Sequence, residues 1–239
     1  MTKERTAIVT GAGKRVGAAI ARALLADGWN VVAHVHHDGD DVPEGAEKAV
    51  ADLGDPGCAA TIFDAADGPV RLLVNNAARF GWDGFGEFSP DEFDAHMRIN
   101  VRAPALMIER FAARHLGPDD ALVVNLLDSK LAAPNADFLS YTLSKQALAG
   151  LTELAARALA AKGIRVNAIA PGLMLRSSGQ SEENFEAMHW ANPLQRPVEA
   201  ADVVEALRYL IGARCVTGQT LMVDSGQRFL ALPRDVQFL

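Results

Sequence analysis

The chain has 239 residues, of which 49% are hydrophobic, and a formal net charge of −7. This length allows one large core, so we expect a single α/β domain over residues 1–239. The negative charge, with no run of Lys or Arg to offset it, argues against nucleic-acid or membrane partners. Apolar segments also stay short of the ~20 residues that a membrane helix needs.

The two cysteines point to a compartment rather than to a site. Cys58 and Cys215 are too few for a disulfide framework, and their spacing suits no metal. We expect both to be buried and reduced. The cysteine count and spacing therefore predict reduced thiols and no bound metal. The N-terminus leads straight into an apolar run and does not resemble a signal peptide, so we expect a cytoplasmic protein.

The start of the chain has the pattern of a doubly wound parallel sheet of the Rossmann type. An apolar strand over residues 5–10 precedes T-G-A-G-K-R-V-G, a helix-period pattern follows, and residues 30–35 form a second strand. Glycines let the backbone approach a pyrophosphate, and the helix N-terminus offers free N–H groups. The candidate cofactor contacts in this loop are Gly11, Lys14, Arg15, Val16 and Gly17.

The end of the second strand indicates which cofactor binds. An NAD site usually has an acid there for the ribose 2′-OH, whereas NADP needs donors or positive charges for its 2′-phosphate. Residues 31–35 contain no acid, His36 and His37 follow them, and Arg15 carries a fixed, forked charge that suits phosphate. Asp38 argues for NAD instead. The pattern as a whole favours NADPH.

The connection to the fourth strand is unusually short. We predict a helix over residues 41–53, a third strand over residues 58–63 ending at Asp64, and a fourth strand over residues 72–74. Parallel neighbours normally need a crossover of a dozen or more residues. The helix between the third and fourth strands is therefore expected to be short or missing.

The fourth strand leads into N-N-A-A-R-F, at the edge where open α/β sheets bind ligands. A long amphipathic helix is predicted over residues 89–115, with Ser89 as its cap and Pro90 in its first position. Asn100 falls in the middle of this helix. Asparagine is unfavourable there, so it has either a buried polar role or a tolerated surface position.

An apolar strand beginning at Val123 ends at Asp128, and an Ala- and Leu-rich helical pattern follows it. Tyr141 and Lys145 are four residues apart, so on a helix they share one face. An ammonium close to a phenol favours the phenolate. The spacing therefore predicts a tyrosine whose proton moves readily near neutral pH, unless the pair merely shares a solvated face.

These motifs together resemble the short-chain dehydrogenase/reductase family, over nearly the whole chain. They are T-G-A-G-K-R-V-G, N-N-A-A, Asn100, Asp128, Y-x-x-x-K, R-V-N-A-I-A-P-G and V-T-G-Q-T-L-M-V-D-S-G. In that family a tyrosine donates the proton while NAD(P)H delivers hydride, a lysine holds the nicotinamide ribose and an asparagine anchors a water. The resemblance implies these roles for Tyr141, Lys145 and Asn100, and it adds cofactor contacts at Asp64, Asn76, Ala77, Ala78, Pro171, Gly172 and Leu173.

One position departs from the common family pattern. Asp128 stands thirteen residues before Tyr141, where most of the family has serine. A carboxylate there would repel a developing oxyanion unless it is protonated or holds an N–H group. Aspartate at this position, with K-R in the glycine loop, histidines after the second strand and a phenylalanine after N-N-A, resembles the pteridine reductases. That resemblance implies substrate contacts at Phe80, Asp128 and Tyr141.

Three functions remain open from the sequence. The first is an NADPH-dependent reductase of a dihydropterin or a similar small heterocycle. The second is a carbonyl reductase of the 3-oxoacyl or small-ketone type, in which Ser129 or a water replaces the missing serine. The third is a non-catalytic NADP(H)-binding regulator, against which the intact set of Asn100, Tyr141 and Lys145 argues. The resemblance also implies a homotetramer.

Overall fold

The computed structural model describes residues 5–117, 119–177 and 179–239. Their strands form one parallel sheet of seven, in the order β3-β2-β1-β4-β5-β6-β7. The strands are β1 Thr6–Val9, β2 Asn30–Val35, β3 Glu47–Val50, β4 Val70–Asn75, β5 Ala121–Leu126, β6 Ile164–Pro171 and β7 Thr220–Val223. The order reverses between β1 and β4, so the predicted doubly wound sheet is confirmed.

Helices cover both faces of this sheet. They are α1 Arg15–Ala26, α2 Cys58–Asp64, α3 Pro90–Met97, α4 Ala103–Arg114, α5 Leu139–Leu159, α6 Glu182–Trp190 and α7 Ala200–Gly212. Alternate residues of a strand point to opposite faces. Ala7 and Val9 of β1 accordingly belong to the core beneath α1 and α7, while Ile8 belongs to the core beneath α2, α4 and α5.

Two elements next to β2 differ from the prediction. The helix predicted over residues 41–53 is wrong, because Pro43 and Gly45, which has φ +87°, interrupt it and the edge strand β3 follows. The strand predicted over residues 58–63 is also wrong. It is helix α2, which buries Cys58, Ala59, Ile62 and Phe63, a spacing that places them on one helical face. The crossover from β3 to β4 is thus a short helix.

This exchange changes the position of Asp64. It ends α2 and forms ion pairs with Arg110 at 3.5 Å and Arg114 at 3.4 Å, away from the edge where ligands bind. The cofactor contact predicted at Asp64 is therefore wrong. Asp52, which follows β3, takes the expected place at the end of the third strand.

The helix predicted over residues 89–115 is interrupted. Ser89 caps α3 as expected, its hydroxyl accepting the backbone N–H of Glu92 at 3.2 Å. Residues Arg98–Arg102 then form a π-helical turn before α4. Such turns are rare and often lie at functional sites, and Asn100 is the buried residue of this one.

The described residues hold no helix long and apolar enough to cross a membrane. Within the same ranges, no three His, Cys, Asp or Glu side chains come together in a group that could hold a metal ion. Cys58 is buried as predicted, whereas Cys215 is exposed between α7 and β7. The cytoplasmic location stays a prediction.

Candidate active site

A cleft of about 1280 Å³ lies along the carboxyl ends of the strands. Its walls come from the segments that follow β1, β2, β3, β4, β5 and β6 and from the C-terminal residues. Apart from Asp64, every predicted cofactor contact lines it. These are Gly11, Lys14, Arg15, Val16, Gly17, His36, His37, Asn76, Ala77, Ala78, Tyr141, Lys145, Pro171, Gly172 and Leu173.

The glycine loop fits a pyrophosphate. Gly11 has φ +65°, and a Cβ on Gly17 would lie 2.1 Å from the Gly11 carbonyl oxygen, so neither position accepts a side chain easily. The Asn76 amide holds the loop by donating to the carbonyl of Thr10 at 2.9 Å. The first turn of α1 has no side-chain cap and no acidic residue, which leaves its N–H groups and positive dipole end for an anion.

Acids as well as bases surround the predicted 2′-phosphate site. Arg15, His36 and His37 line the cleft beside Asp40 and Asp52. The His36 Nε2 atom lies 3.8 Å from an Asp52 carboxylate oxygen, and Asp40 accepts the backbone N–H of His37 at 3.0 Å. That hydrogen bond lowers the pKa of Asp40. The site therefore combines exposed donors with carboxylates that partly offset their charge.

His34, the third histidine near this strand, has a structural role instead. It is buried, and its Nδ1 accepts the backbone N–H of Gly11 at 3.1 Å while its Nε2 lies 3.0 Å from the Ala51 carbonyl oxygen. Burial lowers its pKa. A neutral His34 thus ties the glycine loop to the end of β3.

The Tyr141 hydroxyl points at Asp128. It donates to Asp128 Oδ2 at 2.8 Å, and the other carboxylate oxygen accepts the backbone N–H of Lys130 at 2.8 Å. Burial, followed by the Asp128 charge, raises the pKa of Tyr141 well above its ordinary value. The expectation of a tyrosine that loses its proton readily is therefore wrong, because burial and the Asp128 carboxylate both raise its pKa.

Lys145 lies one helical turn below Tyr141 on α5. Its ammonium donates to the carbonyl of Leu126 at 2.7 Å and lies 5.8 Å from the centre of the Tyr141 ring. Burial lowers the pKa of Lys145 to about 8. The pair shares a buried face rather than a solvated one, which excludes the alternative left open by the sequence.

Asn100 lies behind the wall of the cleft. Its side-chain oxygen accepts the backbone N–H of Arg79 at 2.7 Å, and its amide donates to the Arg79 carbonyl at 3.0 Å and to the Ser144 hydroxyl at 2.9 Å. Ser144 in turn donates to the carbonyl of Tyr141 at 2.7 Å. Asn100 therefore joins the segment after β4 to the helix that carries the tyrosine.

Phe80 contributes an aromatic surface beside this pair. Its ring stacks on Phe138, with centroids 4.4 Å apart, and meets Tyr141 edge-on at 4.7 Å. The side chain is 46% exposed and lines the cleft. One face of Phe80 is thus already covered by Phe138, and the rest of the ring remains available to a ligand.

Two positioning residues were not predicted from the sequence. Asp83 is buried and accepts the backbone N–H of Ser140 at 2.8 Å, so it caps α5 from a distant loop. His96 accepts the backbone N–H of Gly81 at 3.1 Å. Neither residue has a local sequence signal, because their partners are 57 and 15 positions away.

A glycine loop and a helix N-terminus share this cleft with a buried tyrosine–lysine pair, at the switch point of a doubly wound sheet. Together these features define an NAD(P)-dependent oxidoreductase. The family model described as enoyl-(acyl carrier protein) reductase matches residues 11–228. The chain belongs to the short-chain dehydrogenase/reductase family, as its motifs predicted.

The names of similar proteins refer to different substrates. L-xylulose reductase of Mesocricetus auratus is 34% identical over 93% of this chain and 96% of its own length. The 3-oxoacyl-[acyl-carrier-protein] reductase FabG of Staphylococcus aureus is 29% identical over 95% of this chain and 99% of its own. Among solved structures, FolM alternative dihydrofolate reductase 1 from Brucella suis, in complex with NADP, has a TM-score of 0.86 and 34% identity, covering 96% of this chain and 97% of that one.

Proposed function

We propose that this oxidoreductase uses NADPH to reduce a pteridine, either a dihydropterin or a dihydrofolate-like compound. The observation that carries the proposal is the 2.8 Å hydrogen bond from Tyr141 to Asp128, with Phe80 edge-on to the same tyrosine. A flat heterocycle that carries N–H groups needs an aromatic surface and an acceptor carboxylate. The structural similarity to FolM alternative dihydrofolate reductase 1 supports the same substrate class.

The proposed roles follow from charge and hydrogen bonding. NADPH, when bound, supplies the hydride. Reduction of a C=N bond also needs one proton on nitrogen, and the Tyr141 hydroxyl is the donor because it lies in the cleft between Phe80 and Asp128. Asp128 accepts ring N–H or amino groups of the substrate, which orients the ring. Lys145 stabilises the negative charge that proton donation leaves on Tyr141.

The second candidate is reduction of a ketone. L-xylulose reductase and FabG are relatives by sequence, and Ser129 is buried beside Asp128 in the lining of the cleft. The Asp128 carboxylate argues against this candidate, because it opposes the negative charge that develops on a carbonyl oxygen.

Substrate choice is tested by NADPH oxidation with dihydrobiopterin, dihydromonapterin, dihydrofolate and a 3-oxoacyl ester side by side. We expect the highest kcat/KM with one of the three pteridines. Turnover confined to the ester would replace the pteridine proposal with the ketone one.

Arg15 is proposed to hold the 2′-phosphate together with His36 and His37. Arg15→Ala should lower kcat/KM for NADPH by roughly 10- to 100-fold, as expected for one charged hydrogen bond, and leave the value for NADH nearly unchanged. Steady-state kinetics with both cofactors measures this. Equal kcat/KM for NADPH and NADH in the unmodified protein would contradict the proposed preference. The carboxylates of Asp40 and Asp52 would then explain the lack of preference, because they offset the positive charge at the site.

Lys145 is proposed to bind cofactor as an ammonium, so its lowered pKa predicts a pH effect. The charge present at pH 7 is lost as the pH rises through about 8. The Kd for NADPH should therefore increase above that pH, while Tyr141, with its raised pKa, stays protonated. Fluorescence titrations across this range measure the Kd, and Lys145→Met should remove the pH dependence. A Kd that is flat in the unmodified protein would refute the role.

We also propose a homotetramer in solution, with the outer face of α5 as a contact. Leu143 and Leu154 on that face are 41% and 67% exposed, and a Cβ on Gly150 would meet open space. Such a face permits close approach of a second helix. Light scattering at micromolar concentration should give about four times the chain mass of 25.5 kDa, whereas a monomeric mass would contradict the assembly.

A further inference from the structure

The C-terminal tail, defined here as residues 234–239, forms part of the same cleft. Arg234, Asp235 and Val236 line it together with Asp128 and Tyr141. The tail lies beyond residue 228, where the match to the family model ends.

Two ionic contacts hold the tail against the segment that follows Asp128. Arg234 Nε donates to a carboxylate oxygen of Asp137 at 2.8 Å, and the backbone N–H of Asp235 donates to the same oxygen at 2.7 Å. The Lys130 ammonium donates to Asp235 Oδ2 at 3.1 Å and to the Asp137 carbonyl at 2.6 Å. The side chains of Lys130 and Asp235 are only 10% and 16% exposed. Water screens such a pair far less than a surface pair, so removing one charge is costly.

The same contacts lead directly to the proposed reacting groups. Lys130 donates its backbone N–H to Asp128 Oδ1 at 2.8 Å, and the opposite oxygen accepts from Tyr141. The charge of Asp235 also acts at the tyrosine. Burial is the largest cause of the raised pKa of Tyr141 and Asp128 the second, and the Asp235 carboxylate adds to the same rise.

An aromatic stack forms a second connection. The ring of Phe238 lies parallel to that of Phe138, with centroids 5.9 Å apart and an interplanar angle of 20°. Phe138 in turn stacks on Phe80 at 4.4 Å. The end of the tail is held on the other side by α6, where the Asn184 amide donates to the carbonyl of Leu239 at 2.7 Å.

We propose that the tail is a positioning element of the substrate site, in which Asp235 positions Asp128 through Lys130 and Phe238 positions Phe80 through Phe138. The inference rests on the proposed function only in treating Asp128, Tyr141 and Phe80 as the substrate-binding groups. It holds for whichever substrate class is turned over. Asp235 and Phe238 are positioning residues, since they act through their neighbours.

The first test compares Asp235→Asn, which removes the charge at constant shape, with Asp235→Glu, which keeps it. Asp235→Asn should raise KM for the substrate on the order of 10-fold and lower kcat, with the Kd for NADPH unchanged. Asp235→Glu should restore most of the loss. Arg208→Gln, which breaks the surface pair between α7 and Asp27 away from the cleft, is the matched control and should change none of these values.

The second test needs no turnover and so separates this inference from the proposed function. Hydrogen–deuterium exchange of the amides of residues 129–138 should speed up in Asp235→Asn and not in Asp235→Glu or Arg208→Gln. Phe238→Ala should raise KM through the aromatic connection and serves if Asp235→Asn fails to fold. Unchanged exchange in Asp235→Asn would overturn the inference. So would unchanged KM and kcat in both Asp235→Asn and Phe238→Ala, whichever substrate is used.

Discussion

Tyr141→Phe is expected to lower kcat for reduction at least ~100-fold, which is the usual contribution of a positioned proton donor. Phenylalanine keeps the ring and its 4.7 Å edge contact with Phe80, and it loses only the hydroxyl that donates to Asp128. The Kd for NADPH should therefore stay nearly the same. Stopped-flow measurement of NADPH oxidation and fluorescence titration of NADPH separate these two effects.

Tyr209→Phe is the matched control for this substitution. Tyr209 is the only other tyrosine of the chain, and it is exposed on α7, away from the residues that line the cleft. It should leave kcat unchanged. If Tyr141→Phe kept most of its kcat while Tyr209→Phe behaved as expected, a different group would have to supply the proton, and the role assigned to Tyr141 would be wrong.

The long buried strands were predictable because they carry their own signal. Strand β2 was predicted with its observed bounds, and β1 and β4 within two residues, since each is a nearly continuous apolar run. Strand β3 carries no such run because it lies at the edge of the sheet, with Ala49 as its one buried residue. In α2, the six residues C-A-A-T-I-F read equally well as a buried strand or one helix face.

The candidate site shows the same division between local and distant information. The glycine loop, the asparagine after β4 and the Tyr–Lys spacing are local patterns, and the structure brings those residues to one cleft. The raised pKa of Tyr141 depends on burial and on a carboxylate thirteen positions away, so spacing alone predicted the wrong direction. The cap from Asp83 and the contact of Asp235 with Lys130 join residues 57 and 105 positions apart, which no motif encodes.

Asp128→Ser distinguishes the two substrate classes because they predict opposite signs. On a dihydropterin, serine removes the carboxylate that accepts ring N–H groups, so kcat/KM should fall by roughly 10- to 100-fold, the value of one charged hydrogen bond. On a 3-oxoacyl ester, the same change removes a charge that opposes the developing oxyanion, so the rate should rise or stay the same. Rates on both substrates at one pH measure the two signs.

Asp128→Asn keeps the shape of the side chain but removes its charge and replaces one acceptor oxygen by an N–H donor, so it separates the chemistry of the carboxylate from packing. The hydrogen bond from the backbone N–H of Lys130, 2.8 Å long in the unmodified protein, should be kept in this variant, because the amide oxygen can still accept it. If the carboxylate charge binds the pteridine, Asp128→Asn should lose nearly as much activity on the dihydropterin as Asp128→Ser. A gain on the ester without a loss on the dihydropterin, in both variants, would rule out the pteridine function. We expect the loss of activity on the dihydropterin. A carboxylate beside the proton donor binds the N–H groups of a pteridine ring, whereas it opposes the negative charge that develops on the carbonyl oxygen of a ketone.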